Sequence, residues 1–171
     1  METIFVNDKE FEIVRLLGKG KGGYSYLVKD KNGLFYVVKQ IHHEPCSYYT
    51  FGNKLESEIN DYQRLLKCNI LLPKLIEIDH QNERILKEYI QGMTIDKYVE
   101  SDQMEEDFYM QIKEIAFKVK NNGLNIDYYP TNFVVNDGKL FYIDYECNEY
   151  QEKWDYDHWG STYWYKNKQE Q

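Results

Sequence analysis

Apolar and polar residues alternate in short runs through the first half of the chain, a pattern typical of antiparallel strands. Asn32-Gly33 lies between the second and third runs and marks a hairpin turn, so the chain is expected to open with an antiparallel meander. We predict five strands: FEIVRLL at 11–17, YSYLVKD at 24–30, LFYVVKQI at 34–41, LIEI at 75–78 and ERILKEYI at 83–90.

A helical period replaces the alternation near residue 53. Asn53 is placed to act as an N-cap, with Glu56 at the third helical position. The last predicted helix contains three tryptophans and is expected to pack beneath a second hairpin, described below. Helices are predicted at about residues 53–68, 93–100, 103–120 and 148–165.

The helix at 53–68 carries a carboxylate on its apolar face. The apolar stripe consists of Leu55, Ile59, Tyr62 and Leu66, with Leu65 at its edge. At about 100° per residue from Leu55, Glu58 falls inside this stripe, whereas Glu56 falls outside it. A carboxylate on a core-facing stripe is costly unless a cation neutralises it. We predict that Lys39, near the end of the third strand, is the partner of Glu58; an exposed lysine at a strand end is the alternative.

A second hairpin lies between Asn125 and Glu146. Two apolar runs flank Asp137-Gly138, a strong signal for a tight hairpin turn. If Val135 pairs with Leu140, then Asn132 and Asp144 emerge together at the open end, with Asp127 on the loop before the first strand. Carboxylate and amide oxygens suit Mg²⁺. A surface hairpin with ordinary polar turn residues is the alternative.

Gly18, Gly20 and Gly23 form a G-x-G-x-x-G turn between the first two predicted strands. Because a strand rather than a helix follows, the dinucleotide-binding fold is disfavoured. The glycine backbone can instead approach phosphate groups closely, with Lys19 and Lys21 adding positive charge. A flexible hairpin tip is the alternative.

The composition is that of a globular chain of one domain or two small lobes. The 171 residues are 42% hydrophobic and 29% charged, with a net charge of −8, which argues against a dedicated nucleic-acid-binding protein. No secretory signal and no apolar run of membrane-spanning length is visible, so we expect a cytoplasmic protein without a membrane partner. Cys46, Cys68 and Cys147 are widely spaced, and neither a disulfide framework nor a zinc site is expected.

The ordered set of glycine turn, strand lysine, helix glutamate, Asp-x4-Asn and hairpin aspartate resembles the protein-kinase-like fold over almost the whole chain. The resemblance implies an α+β bilobal fold. Residues 1–90 would form a five-stranded antiparallel N-lobe with one helix, and residues 91–171 a minimal, mostly helical C-lobe. Only 13 positions separate Asp144 from Asp157, and no Ala-Pro-Glu sequence occurs. In these respects the chain more closely resembles compact atypical kinases such as the RIO and KEOPS-complex kinases. Ile143-Asp144-Tyr145-Glu146 also resembles choline-kinase-like phosphotransferases.

The resemblance implies ATP and Mg²⁺ as cofactors. Asp127 would orient the acceptor hydroxyl and accept its proton, and Asn132 with Asp144 would hold Mg²⁺. Asp157 would brace the catalytic loop, with Asp155 as the alternative. The remaining implied nucleotide-binding residues are Gly18, Gly20 and Gly23 over the phosphates, Lys39 and its partner Glu58 at the α- and β-phosphates, and the backbone of Glu88 and Ile90 at adenine.

Two departures from the family pattern bear on activity. Asn125 stands where the family usually has histidine, and Tyr145-Glu146 follows Asp144 in place of Phe-Gly. The leading hypothesis is a phosphotransferase that acts as a Ser/Thr protein kinase. The alternatives are a nucleotide-binding pseudokinase that serves as an interaction module, and a small-molecule kinase. The acceptor, protein or small molecule, is not determined by the sequence.

Overall fold

The computed structural model describes residues 1–20, 22–43 and 53–166. Lys21, Cys46, most of the loop at 42–52 and the last five residues therefore lie outside the described part. The chain divides into two compact units. The first unit comprises Met1–Glu58 and Pro73–Tyr89, and the second comprises Ile59–Leu72 and Ile90–Gln171.

A six-stranded antiparallel sheet dominates the first unit. Its strand order is β1-β2-β3-β4-β6-β5, and the five predicted strands are all present in it. The strands are β1 (Thr3–Val6), β2 (Lys9–Lys19), β3 (Gly23–Lys29), β4 (Phe35–Ile41), β5 (Leu75–Asp79) and β6 (Arg84–Glu88).

The sixth strand, β1, was missed by the sequence prediction because four residues are too few to establish an alternation. Ile4 and Val6 pack with Phe11, Val28, Val38 and Leu86 in the core of the first unit. The turn after β1 also reaches the far edge of the sheet. The backbone N–H of Asn7 donates to Oδ2 of Asp79 at 2.8 Å, and Lys9 pairs with Glu77 at 2.7 Å.

Helix α1 (Lys54–Leu66) begins as predicted. Oδ1 of Asn53 accepts the backbone N–H of Glu56 at 3.1 Å, which confirms Asn53 as the N-cap. The end of its apolar stripe differs from the prediction. Leu65 is fully buried and Leu66 is 49% exposed, so Leu65 rather than Leu66 completes the buried face.

Helices and two small sheets form the second unit. Phe108, Ile112, Ile115 and Val119 of the longest helix point into the core along the predicted stripe. The helices are α2 (Ile95–Glu100) and α3 (Glu106–Asn121); β7 (Met93–Thr94), β9 (Phe133–Asn136) and β10 (Lys139–Tyr142) form one sheet, and β8 (Leu124–Ile126) and β11 (Cys147–Glu149) form the other.

The hairpin of β9 and β10 has the predicted register. Val135 pairs with Leu140 and Phe133 pairs with Tyr142. Asp137 and Gly138 have φ values of 51° and 75°, which is the conformation that an Asp-Gly turn favours. The open end of the hairpin therefore carries Asn132 and Asp144, as expected.

The prediction of an α-helix at 148–165 is wrong. This segment contains β11 and two 3-10 helices, Glu152–Trp154 and Gly160–Trp164. The side chain of Asp155 accepts the backbone N–H of His158 at 2.8 Å, a local bond that competes with helical hydrogen bonding. The packing prediction is confirmed, because the Trp164 ring lies 5.3 Å from that of Phe133 on β9.

The α+β class is thus confirmed, with three α-helices among the described residues. In the same part of the chain, no helix is long and apolar enough to cross a membrane. The bilobal kinase architecture, with lobes at 1–90 and 91–171, stays a prediction.

Candidate functional site

The predicted contact between Lys39 and Glu58 is present in the first unit. Nζ of Lys39, on β4, donates a hydrogen bond to Oε1 of Glu58, on α1. The two side chains are only 13% and 11% exposed. A pair of charges shielded from water in this way interacts more strongly than a surface pair. Oε2 of Glu58 is also buried and has no hydrogen-bond donor among the described residues.

Glu56 has a different environment. It is exposed, and its Oε1 lies 3.8 Å from Nδ1 of His80. Its backbone N–H is engaged by Asn53. The helical geometry thus directs Glu58 rather than Glu56 toward Lys39, as the stripe predicted.

The glycines at the junction of β2 and β3 differ in what surrounds them. Gly18 lies within β2 and Gly23 begins β3, so the prediction that both lie in the turn is wrong; Gly20 and Gly22 lie between the strands. Gly18 and Gly20 are exposed, and a Cβ added at either would meet nothing within 4 Å. A Cβ at Gly23 would lie 2.1 Å from the backbone oxygen of Gln40, so the close pairing of β3 with β4 requires glycine there. Gly22, which the motif did not single out, is the glycine nearest Lys39, with an added Cβ 3.5 Å from Nζ.

His42 holds the same turn. Its Nε2 lies 3.0 Å from the backbone oxygen of Gly20, and its backbone N–H donates to the oxygen of Gly22 at 3.2 Å. The ring of Tyr24 lies 5.1 Å from the ring of His42. Because His42 directly follows the last residue of β4, the turn is tied to the end of that strand rather than left as an isolated tip.

The second unit holds the other predicted site residues. Tyr129 donates its backbone N–H to Oδ1 of Asp127 at 3.1 Å, and Nδ2 of Asn132 donates to the backbone oxygen of Asp127 at 3.3 Å. The backbone N–H of Ile143 donates to the oxygen of Asn132 at 2.9 Å, next to Asp144. The hydrogen bonds thus join the Asp127 loop to the open end of the hairpin.

These hydrogen bonds leave particular oxygens for a ligand. Oδ1 of Asp144 accepts the backbone N–H of Tyr145 at 2.8 Å. Within the described residues, no donor contacts Oδ2 of Asp127, Oδ2 of Asp144 or Oδ1 of Asn132. The described part also contains no group of three or more His, Cys, Asp or Glu side chains placed to hold a metal. Oδ1 of Asn132 and Oδ2 of Asp144 are oxygen ligands of the kind that suits Mg²⁺. Two protein ligands are compatible with this ion, because it usually completes its coordination shell with water and phosphate.

Tyr142 supports this arrangement and was not predicted to do so. Its hydroxyl oxygen accepts the backbone N–H of Asp127 at 3.2 Å and donates its proton to the backbone oxygen of Glu146 at 2.8 Å. Burial raises the pKa of Tyr142 well above its ordinary value, so the phenol stays neutral. The sequence identified Tyr142 only as a strand residue, and its hydroxyl contacts depend on the tertiary fold.

Asn125 and Tyr145, which depart from the kinase-like sequence pattern, are both buried. Nδ2 of Asn125 donates to the backbone oxygen of Gln151 at 2.9 Å, while its Oδ1 has no partner among the described residues. The ring of Tyr145 lies 4.6 Å from that of Tyr62. Asn125 is therefore hydrogen-bonded to the segment after β11, and Tyr145 packs against α1.

Of the two candidate bracing aspartates, Asp155 is buried and Asp157 is exposed. Burial alone would raise the pKa of Asp155, but hydrogen bonds from His158 and Tyr150 outweigh it and hold that pKa below its ordinary value. The same contact raises the pKa of His158. The structure thus favours Asp155 over Asp157 as the aspartate with a structural role.

Glu88, the first of the two residues predicted to bind adenine, is hydrogen-bonded to Lys74. The backbone N–H of Glu88 donates to the oxygen of Lys74 at 2.9 Å, and Oε1 of Glu88 accepts the N–H of Lys74 at 3.2 Å. Glu88 is therefore fixed to the strand end. Adenine binding by Glu88 and Ile90 stays a prediction.

Comparison with known proteins gives a partial result. No family model matches the chain. Over 72 residues, 42% of the chain, the sequence is 33% identical to the serine/threonine-protein kinase ppk13 of Schizosaccharomyces pombe. The match covers 20% of the length of that kinase. It is a partial similarity to a kinase, and it leaves the activity, cofactors and acceptor of this chain as proposals.

The structure brings the predicted site residues together in two groups. Lys39 and Glu58 meet in the first unit, and Asp127, Asn132 and Asp144 lie on connected backbone in the second. Their roles toward ATP and Mg²⁺ stay predictions. Gly22 and Tyr142 are the residues that sequence reasoning missed.

Proposed function

We propose that the protein is an ATP- and Mg²⁺-dependent phosphotransferase that acts as a Ser/Thr protein kinase within a kinase-like bilobal fold. The observation that carries this proposal is the hydrogen-bonded connection of the Asp127 loop to Asn132 and the strand end before Asp144. The ion pair of Lys39 with Glu58 and the partial similarity to a kinase support it.

Phosphoryl transfer depends mainly on positioning and on neutralising charge. Lys39 would contact the α- and β-phosphates, with Glu58 fixing the position of its ammonium group. Oδ1 of Asn132 and Oδ2 of Asp144 would hold Mg²⁺, which supplies positive charge against the phosphates when it is bound.

Asp127 would act on the acceptor. The backbone N–H of Tyr129 holds Oδ1, so Oδ2 is directed to accept a hydrogen bond from the acceptor hydroxyl. That oxygen would take the hydroxyl proton late in the transfer. Gly18, Gly20 and Gly23 would cover the phosphates, and the backbone of Glu88 and Ile90 would bind adenine.

A pseudokinase is the second candidate, and the buried Asn125 favours it. Asn125 occupies the usual histidine position, and its amide is committed to Gln151. A protein of this kind would bind nucleotide without transferring phosphate and would act through a partner.

We expect purified protein to transfer labelled phosphate from Mg·ATP to serine or threonine in protein and peptide acceptors. Asp127→Asn should lower the rate by at least about a hundredfold, because it removes the proton acceptor. Asp137→Asn is the matched control, since asparagine also tolerates the positive φ of this turn position.

The other possible results of these assays distinguish the proposed kinase from its alternatives. Transfer only to small hydroxylated molecules would replace the proposal with a small-molecule kinase. Thermal stabilisation by Mg·ATP that is lost in Lys39→Met, without any transfer, would favour the pseudokinase. No binding and no transfer would contradict both.

A further inference from the structure

Four aromatic rings of the second unit form a continuous row. The ring centroids of Tyr129 and Tyr163 are 5.2 Å apart, those of Tyr163 and Trp159 are 5.3 Å apart, and those of Trp159 and Trp154 are 5.9 Å apart. We call these four residues the aromatic row. Tyr129, Tyr163 and Trp154 are 44%, 41% and 48% exposed, so much of the row faces solvent.

The row begins beside the proposed catalytic aspartate. Tyr129 is two residues after Asp127, and its backbone N–H donates to Oδ1 of that aspartate. The next residues, Pro130–Asn132, form the 3-10 helix that carries Asn132. The first ring of the row therefore belongs to a residue whose backbone contacts the group that is proposed to receive the acceptor proton.

The row borders the aromatic core of the unit, because Trp159 packs against it while Tyr129, Tyr163 and Trp154 are more exposed. Trp164 and Tyr128 are buried, and the indole N–H of Trp164 donates to the backbone oxygen of Tyr128 at 2.7 Å. A contiguous exposed patch of large rings is a common mark of a binding surface. The faces of such rings carry negative potential and attract cations.

The chain segment that contains Trp154 and Trp159 is also acidic. Residues 146–160 contain five acidic residues and one lysine, a net charge of −4 with histidine neutral. Glu152 and Glu149 are 72% and 86% exposed, and their Oε1 atoms lie 3.1 Å from Nε2 of His158 and 3.5 Å from the guanidinium of Arg64. Lys153 already illustrates the preference of these rings for cations, because its Nζ lies 5.6 Å from the centroid of the Trp154 ring.

We infer that the aromatic row binds a basic segment of a protein acceptor, with lysine or arginine close to the serine or threonine that receives the phosphate. This inference rests on the proposed function and names its acceptor class. Ring faces and exposed carboxylates would contact the basic side chains, while the hydroxyl would reach Asp127. Neutral and acidic segments lack the complementary charge.

The test compares two serine peptides of equal length, one with arginines around the serine and one with glutamines. Binding is measured without nucleotide by fluorescence anisotropy, and phosphate transfer is measured separately with Mg·ATP. We expect tighter binding and faster transfer for the arginine peptide, with binding weakened by added salt.

Variants then test the row itself. Tyr163→Ala and Trp154→Ala should each weaken binding of the arginine peptide about two- to fivefold, and Tyr163→Phe, which keeps the ring, should restore it. Phe117→Ala is the matched control, because Phe117 is a 65% exposed ring of the same unit outside the row. Thermal melts check that each variant is folded.

The outcomes separate this inference from the proposed function. Equal binding of the two peptides, or unchanged binding in folded Tyr163→Ala and Trp154→Ala, would overturn the inference even if phosphate is transferred. Row-dependent binding of the arginine peptide without any transfer would support the row as a site for basic segments and would contradict the proposed kinase activity instead.

Discussion

At the scale of single residues, the contact between Lys39 and Glu58 is the most informative one. Both side chains are largely shielded from water, so the ion pair offsets part of the cost of keeping them charged. A structural ion pair and a phosphate-binding lysine would both show this geometry. Only a comparison of stability with nucleotide binding separates the two roles.

We predict that Glu58→Gln lowers the free energy of unfolding by about 1–3 kcal/mol, because it leaves Lys39 with a neutral partner. It should also weaken stabilisation by Mg·ATP. Glu56→Gln, a matched change on the exposed side of the same helix, should change the free energy by about 0.5 kcal/mol or less. Urea denaturation with and without Mg·ATP measures both effects, and equal losses in the two variants would contradict the assignment.

His158 provides a second prediction, which concerns pH. The ring contacts Asp155 at 2.8 Å, and this hydrogen bond raises the pKa of His158 above its ordinary value of 6.5. The folded protein therefore holds the proton more tightly than the unfolded chain. The resulting stability is fully present below pH 6.5 and is lost as the pH rises through the raised pKa.

Accordingly, His158→Gln should lower the melting temperature more at pH 5.5 than at pH 9. In the background of Asp155→Asn the same substitution should depend much less on pH, because the nearer carboxylate is gone. A loss of stability that is independent of pH in the first background would show that His158 acts through packing alone.

At the scale of secondary-structure elements, the glycines at the junction of β2 and β3 differ in whether the fold itself requires glycine. Gly23→Ala should lower the free energy of unfolding by about 1–3 kcal/mol, because its Cβ would clash with the backbone oxygen of Gln40. Gly18→Ala should be nearly neutral for stability, since its Cβ has open space. Chemical denaturation of the two variants checks this, and similar losses would contradict it.

The elements that were predicted correctly are those that short, local sequence signals determine. The hairpin of β9 and β10 follows from Asp137-Gly138, and the start of α1 follows from Asn53, because both signals act over a few residues. Prediction was wrong at 148–165, where aromatic residues suggested a helix. There the side chain of Asp155 bonds the backbone locally, and the aromatic rings pack without α-helical spacing.

At the scale of the whole molecule, the compact units are not contiguous in sequence. Residues 59–72 belong with the second unit, since Leu65 and Cys68 pack in its core. A single helix, α1, therefore contributes residues to both units. A linear sequence shows where one pattern ends and the next begins, but it does not show that one helix is divided between two units.

The contacts of the candidate site were likewise predictable from the sequence only in part. The contact of Lys39 with Glu58 was predictable because strand alternation and the helical period each fix a direction. Gly22 near Lys39 and the hydroxyl of Tyr142 were not predictable, because their positions depend on how separate elements pack. Sequence identified the residues with obvious chemistry, and the structure added those that hold them.

The bonds from the turn after β1 to β5 have a consequence for how the protein behaves at high concentration. Unpaired outer strands invite other copies to add to a sheet, which leads to aggregation. Here Asn7, in the turn after β1, and Lys9, the first residue of β2, bind Asp79 and Glu77 of β5. Trimming the first eight residues for expression would remove β1 and the Asn7 bonds and uncover β2, although Lys9 would remain, so the short N-terminal strand protects solubility as well as the core.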